Sequence, residues 1–413
     1  MMRESTDILI SGGGVAGLTA ACALGSAGFR VICVDPTPPV TRAEDDGADL
    51  RTTAFLQPSV AVLDGAGLWS RLAPHAAPLQ VMRIIDAGGP EPEARLVTDF
   101  DAADISDAPF GWNLPNWLLR REMLARLADL PQVSLRMGVG FARLLTRESE
   151  ALVTLTDGSQ VSARLVISAD GRDSPVREAL GIDARTLRYG QKALAFAVTH
   201  SVPHNNISTE VHRSGGPFTL VPLPDRDGSP ASAVVWMEHG AEIARLAALP
   251  VPTFEAEMTA RSSGVLGPLT LVSRRSVWPI ISRIADRMSG QRTVLMAEAA
   301  HVVPPIGAQG LNMSLADLAC LLELAGQHRA DPGVAAVTEA YHRRRHWEVQ
   351  ARVTGIDLLN RASMAGAQPL RDLRARALQL LYGARPVRQT LMRAGLGVGR
   401  KAGTEASPIG ATL

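Results

Sequence analysis

The chain has 413 residues, 46% of them hydrophobic, enough to bury a large core and divide into two or more domains. Its formal net charge of +1 excludes the basic or acidic bias of a protein built around nucleic acid or an acidic polymer. Cys22, Cys33 and Cys320 lie in apolar surroundings without metal-ligand spacing, which excludes a disulfide scaffold or zinc centre and fits a reducing compartment.

The N-terminus runs almost at once into a strand, leaving no room for a signal peptide. No window approaches ~20 uninterrupted apolar residues. The expectation is a cytoplasmic chain. Residues 7–10 read as a short apolar strand, 14–28 as a helix and 30–35 as a second strand, a βαβ start. Between strand and helix runs Gly12-Gly13-Gly14-Val15-Ala16-Gly17, a GxGxxG. Gly12 permits the tight turn, Gly14 lets backbone approach a pyrophosphate, and Gly17 lets the helix pack closely on the strand. Asp35 ends the second strand where an acid can hydrogen-bond a ribose diol. Together they read as a dinucleotide site, with NAD and FAD both open.

A polar, acidic loop spans 36–49, and apolar spacing predicts helices over 58–72 and 117–130, the second stopped by Pro131. Strands with a turn at Asp157 and Gly158 lead into the apolar run 165–167. Directly after it, Asp170, Gly171 and Ser174 read by themselves as an Asp-Gly turn with a capped helix over 176–180. From 189 to 237, strand-like runs are broken by Pro203, by Gly215, Gly216 and Pro217, and by Pro222, the turn density of an antiparallel sheet. Residues 293–317 deliver Glu298 and His301 into a Pro304, Pro305 turn. Gly307, Ala308, Gln309 and Gly310 then open a helix whose bare N–H groups suit an electron-rich ligand. From 315 the chain reads as helical almost to its end. Gly395, Gly397 and Gly399 lack a βαβ context and read as a flexible tail.

In this order, the GxGxxG, the DGxxSxVR run from Asp170 to Arg177 and the run from Glu298 and His301 to Asn312 resemble the FAD-dependent aromatic hydroxylases, flavoprotein monooxygenases of the para-hydroxybenzoate hydroxylase type. Other segments resemble the ubiquinone-biosynthesis hydroxylase branch: Asp49 to Phe55, Tyr189 to Leu194, and Glu210 through Ser214, Gly215, Gly216 and Pro217 to Pro224. The resemblance implies an α/β fold with a discontinuous Rossmann-like FAD-binding domain (1–78, 112–183 and 276–330). An inserted, mainly antiparallel β-sheet substrate domain (79–111 and 184–275) and a C-terminal helical region (331–413) complete it.

The resemblance also assigns roles. Gly12, Gly14, Val15, Ala16, Gly17 and Asp35 would take the adenosine end of FAD. Arg51, Arg121 and Asp170 would line its flavin and pyrophosphate side, Glu298 would hold the ribityl hydroxyls, and Gly307, Ala308, Gln309, Gly310, Leu311 and Asn312 would face the pyrimidine edge. His212, Gly216, Pro217 and Pro305 are candidates for the substrate pocket, with His212 equally readable as an exposed sheet position. His301 is more readily a structural histidine than a general base. The implied chemistry is hydroxylation of an aromatic, prenylated substrate by dioxygen through a flavin C4a-hydroperoxide, with NAD(P)H as a transient co-substrate.

Arginines at 371, 374, 376, 385, 388 and 393 among leucines read as an amphipathic hairpin. The alternative is a peripheral contact with the inner face of a membrane, or a complex with other quinone-biosynthesis proteins. Ala297-Glu298 stands where the family has Gly-Asp, which motivates a rival reading as a flavin-free binding or assembly protein. A halogenase is disfavoured because Lys192 and Lys401 are the only lysines. An NAD dehydrogenase leaves the Asp170 and Glu298 segments unexplained.

Overall fold

The computed structural model describes residues 4–89, 93–213, 215–364 and 366–396. Ser214, Gly397, Gly399 and Lys401 lie outside them. Two large sheets organise the chain. In the first, the strands run in the order Ser289–Gly290, Thr293–Leu295, Gln160–Ser168, Glu4–Ser11, Val31–Asp35 and Val133–Met137. All but the outermost pair, Ser289–Gly290 with Thr293–Leu295, are parallel. Side chains alternate across the pleat. Ile8, Ile10, Val31 and Cys33 enter one core, while Leu9, Ile32 and Val34 enter the opposite one. The first core is closed by the helices Val15–Ser26, Asn116–Ala128 and Gln309–Gln327. The other is closed by the hairpin Phe141–Thr146 and Ala151–Leu155 with the short helix Pro175–Ala179. Burial on both faces is the condition under which a parallel sheet is stable.

The second sheet has nine strands. Its spine is Ala184–His200, which pairs antiparallel with Ser229–His239 on one side and Ser276–Ala285 on the other. One pair departs from the antiparallel pattern: Ile207–His212 runs parallel to Val81–Asp86. Leu194, Phe196, Phe218 and Trp236 face the helices Gly240–Ala248 and Val251–Arg261, whereas Ala193, Met237, Ile280 and Ile284 join the first core. The sequence reading of 184–275 as strands misses these two helices, which follow the last long strand of that region. The single helix expected over 58–72 is two, Gln57–Gly65 and Trp69–Leu72, because Gly67 turns left-handed (φ 70°) between them.

Register brings the separated motifs together. Ser11 pairs with Ser168, and Ser168 with Leu295, so the residues after each strand leave the sheet at one carboxyl edge. The chain then continues from Leu295 to His301–Val302, which pairs with Arg283 and Ile284 in the second sheet. Glu298 therefore lies on the bridge between the sheets.

Candidate active site

The glycine loop is shaped by contacts that no side chain could share. Gly12 has φ 113°, and a Cβ there would stand 2.3 Å from the Ala169 carbonyl oxygen. A Cβ on Gly17 would stand 1.8 Å from the carbonyl oxygen of Gly12. Gly14, by contrast, has nothing within 4 Å of its missing Cβ. It begins the helix Val15–Ser26, whose N-terminus has no side-chain cap. Val15 and Ala16 thus present N–H groups at the positive end of a helix dipole beside an open space. This cradle fits a pyrophosphate.

Asp35 accepts from Gly13 N at 2.6 Å and from Thr37 N at 2.8 Å. A carboxylate offers about four acceptor positions, so it retains capacity for a hydroxyl. Asp170 accepts from the hydroxyls of Ser11 at 3.1 Å and Ser168 at 2.6 Å, pinning the two strand ends. Ser174 caps the following helix by accepting from Arg177 N.

An arginine-rich cleft of about 380 Å³ lies at the sheet boundary, lined by Asp49, Arg51, Arg120, Arg172, Ser276 and Trp278 among others. Arg51 makes a two-pronged pair with Asp49, Nε to Oδ1 at 2.7 Å and Nη2 to Oδ2 at 2.6 Å. Its guanidinium lies 4.8 Å from the Trp278 ring centroid. Burial by itself would raise the Asp49 carboxyl, but hydrogen bonds from Arg51 and Asn116 outweigh it and hold it below the usual carboxylate range.

The helix Asn116–Ala128 corrects one expectation. Arg121 is turned outward, bonded to Glu122 at 2.8 Å and 5.6 Å from the Trp117 ring centroid. Arg120 is the one that enters the cleft, 3.7 Å from Asp49, with its Nε buried and without a partner among the described residues. Leu119, Met123 and Leu127 form the buried stripe of that helix, and successive residues are ~100° apart around it. Sequence reasoning missed Arg120, Arg172 and Trp278. The 119/123/127 stripe was the available signal for Arg120; Trp278 had no local one.

Glu298 sits in the short turn Ala297–Ala299, 3.2 Å from Arg172, with its side chain 45% exposed. Ala297 adopts φ 55°, a left-handed conformation, at the position where the resemblance leads one to expect glycine. Behind it, Asp317 is completely buried and accepts from His301 Nε2 at 2.7 Å, Arg345 Nε at 2.8 Å and Ala297 N at 3.3 Å. His301 is thereby a structural residue.

The helix Gln309–Gln327 starts after a left-handed Ala308 (φ 57°), with no side-chain cap. Gly307 and Gly310 are exposed, and Leu311 is half-buried. Asn312 is committed inward, donating to Ala54 O at 2.7 Å and accepting from Leu56 N at 2.9 Å. Gln309 bonds Gly307 O and Arg352. Pro305 is exposed. In the second sheet, His212 is mostly buried, not an open sheet position. It meets Glu210 at 2.8 Å, and its Nδ1 has no partner among the described residues. Gly216 (φ 147°) and Pro217 form the adjoining turn, where Gln191 donates to Gly215 O at 2.6 Å and buried Arg261 to Gly216 O at 2.7 Å.

The family and relatives that the chain matches are those of FAD-dependent aromatic monooxygenases, and the glycine cradle fits that cofactor. The chain belongs to the family described as "FAD binding domain", whose profile matches residues 5–355. It is 33% identical to a protein named ubiquinone hydroxylase UbiL of Rhodospirillum rubrum, over 95% of this chain and 89% of that one. It is 26% identical to 3-demethoxyubiquinol 3-hydroxylase of Escherichia coli, over 96% of this chain and all of the other. The solved p-nitrophenol 4-monooxygenase PnpA of Pseudomonas putida shares the fold, with TM-score 0.79 at 19% identity, covering 96% of this chain and 99% of that one.

Proposed function

We propose that the protein hydroxylates the aromatic ring of a prenylated phenol on the route to ubiquinone, using FAD, dioxygen and NAD(P)H. The observation that carries this reading is the likeness to a protein named ubiquinone hydroxylase, which runs through both sheets and not the cofactor frame alone. When bound, FAD supplies the redox chemistry that activates dioxygen.

The chain's own residues do the rest. The Gly12 to Gly17 loop would receive the pyrophosphate, with Arg51 and Arg120 beside it, and Asp35 would hold the ribose. Glu298 would hold the ribityl chain, and Asp170 would keep the strand ends in place. The Gln309–Gln327 helix start would face the pyrimidine edge of the cofactor, and a helix N-terminus stabilises negative charge by ~0.3–1 kcal/mol when exposed and up to ~2 when partly buried. Gly216, Pro217 and Pro305 offer walls without ionisable groups, which suits a pocket that must exclude water. His212, held by Glu210, is the imidazole offered to the phenol. NAD(P)H is a transient visitor in this account. Purified protein loaded with FAD is expected to oxidise NAD(P)H faster when given a prenylated phenol. Protein that stays colourless with added FAD would instead support the flavin-free binding reading.

A peripheral membrane contact is supported by the C-terminal helices Gln368–Gly383 and Arg385–Leu396, which expose Leu370, Leu373, Val387 and Leu391. Of the six arginines there, Arg374 and Arg388 are drawn inward to Asp86 and Asp104, each at 2.9 Å, and Arg371 is half-buried. Arg376, Arg385 and Arg393 remain exposed beside the leucines. Glutamine at these three should weaken binding to anionic liposomes; unchanged binding would refute the contact. Among the described residues, no helix is long and apolar enough to cross a membrane.

A further inference from the structure

Arg51 begins the strand Thr52–Leu56, yet the ring it stacks on comes from the second sheet, where Trp278 pairs with Ala193. The two-pronged bond to Asp49 uses Nε and Nη2, leaving Nη1 uncommitted among the described residues. Asp49 is itself held by Asn116 at 3.0 Å and approached by Arg120 at 3.7 Å. The carboxylate therefore fixes the edge of the Arg51 guanidinium, and the indole fixes its face. A planar fork held on edge and face keeps its remaining donors in one direction, which a lysine could not do. Those donors line the cleft together with Arg120, an arrangement that suits an anion.

We propose that Trp278 is a cofactor-positioning residue: from the substrate-side sheet it holds Arg51 in the plane needed to bind the phosphates of FAD. Cofactor affinity is then coupled to the seating of the second sheet against a small three-stranded one, in which Thr52–Leu56 pairs with Gly111–Pro115. The proposal rests on FAD as the cofactor and is independent of which ring is hydroxylated. A binding assay without substrate therefore separates its failure from that of the proposed reaction.

The experiment is titration of the apoprotein with FAD, followed by flavin fluorescence, for wild type, Trp278→Phe and Trp278→Leu, each with and without Arg51→Gln. Loss of a cation–π contact is expected to raise the Kd for FAD by about 3- to 30-fold in Trp278→Leu. Trp278→Phe keeps a π face and should retain most of the affinity. With the neutral glutamine at 51, the Phe and Leu variants should differ little from tryptophan, because the cation that stacks on the ring is gone. Wild-type affinity in Trp278→Leu would overturn the proposal, as would an undiminished effect in the Arg51→Gln background. If Trp278→Leu fails to fold, Trp278→Met, which fills space without a π face, is read by the same two outcomes.

Discussion

Ala297 carries a backbone conformation that an L side chain resists, φ 55°, in the turn that presents Glu298. Such a residue costs roughly 1–2 kcal/mol against its right-handed alternative. Ala297→Gly is expected to raise the unfolding free energy by about 1 kcal/mol, once the greater freedom of glycine in the unfolded chain is offset. Urea denaturation measures it. The turn is held from below by Asp317, whose carboxylate accepts from Ala297 N, His301 and Arg345. Burial alone would raise the Asp317 carboxyl, but its interactions with His301 and Arg345 outweigh it and hold it below the usual range. A depressed carboxyl contributes stability that is present above the unfolded value of ~3.9 and lost as pH falls through its lower folded value. Asp317→Asn leaves Arg345 buried without that carboxylate and should cost about 3–5 kcal/mol at neutral pH. The deficit should shrink below pH ~4, where the unfolded wild-type chain takes up a proton that folded Asp317 resists. Equal deficits at pH 7 and pH 3 would refute it. Little of this was legible in the sequence beyond the structural role of His301, because the conformation of one alanine has no local signature.

Among the described residues, three ion pairs hold the C-terminal helices to the second sheet and the segments beside it, one of them Asp372 with Arg95 at 2.7 Å. Asp86, 2% exposed, takes Arg95 at 2.7 Å and Arg374 at 2.9 Å; Asp104 takes Arg388 at 2.9 Å. Phe100 adds an edge-on contact with Tyr382 at 5.9 Å. Arg374→Gln removes a charged hydrogen-bond pair worth about 1.5–3 kcal/mol. If opening is fast relative to cleavage, proteolysis within 366–396 should accelerate by about 10-fold or more, with FAD absorbance unchanged. Limited proteolysis with mass spectrometry reads this, and an unchanged cleavage rate would contradict the clamp. The periodic apolar pattern announced these helices. It could not announce their docking, since Asp86 and Arg374 are 288 residues apart in sequence. For the same reason, arginines that looked like one basic face divide into buried anchors and exposed charges.

At the scale of the whole molecule, the site is made by register. Three segments far apart in the chain leave adjacent parallel strands at one edge, and the third crosses from the first sheet to the second. That Gly12, Asp170 and Glu298 leave one edge was legible because each follows an apolar strand at its carboxyl end. Arg120 was displaced by one position to Arg121 because composition does not give helical phase. Trp278 was invisible because its partner Arg51 belongs to another sheet. The α/β architecture, the mainly antiparallel second sheet and the helical C-terminal region were readable; the helices 240–248 and 251–261 were hidden behind a strand-rich neighbourhood. The most direct test of the account is product analysis after reaction of FAD-loaded protein with NAD(P)H and a prenylated phenol under isotopically heavy dioxygen. The account predicts a hydroxylated ring carrying one heavy oxygen atom. NAD(P)H consumption that yields only hydrogen peroxide, or a product whose oxygen derives from water, would contradict it.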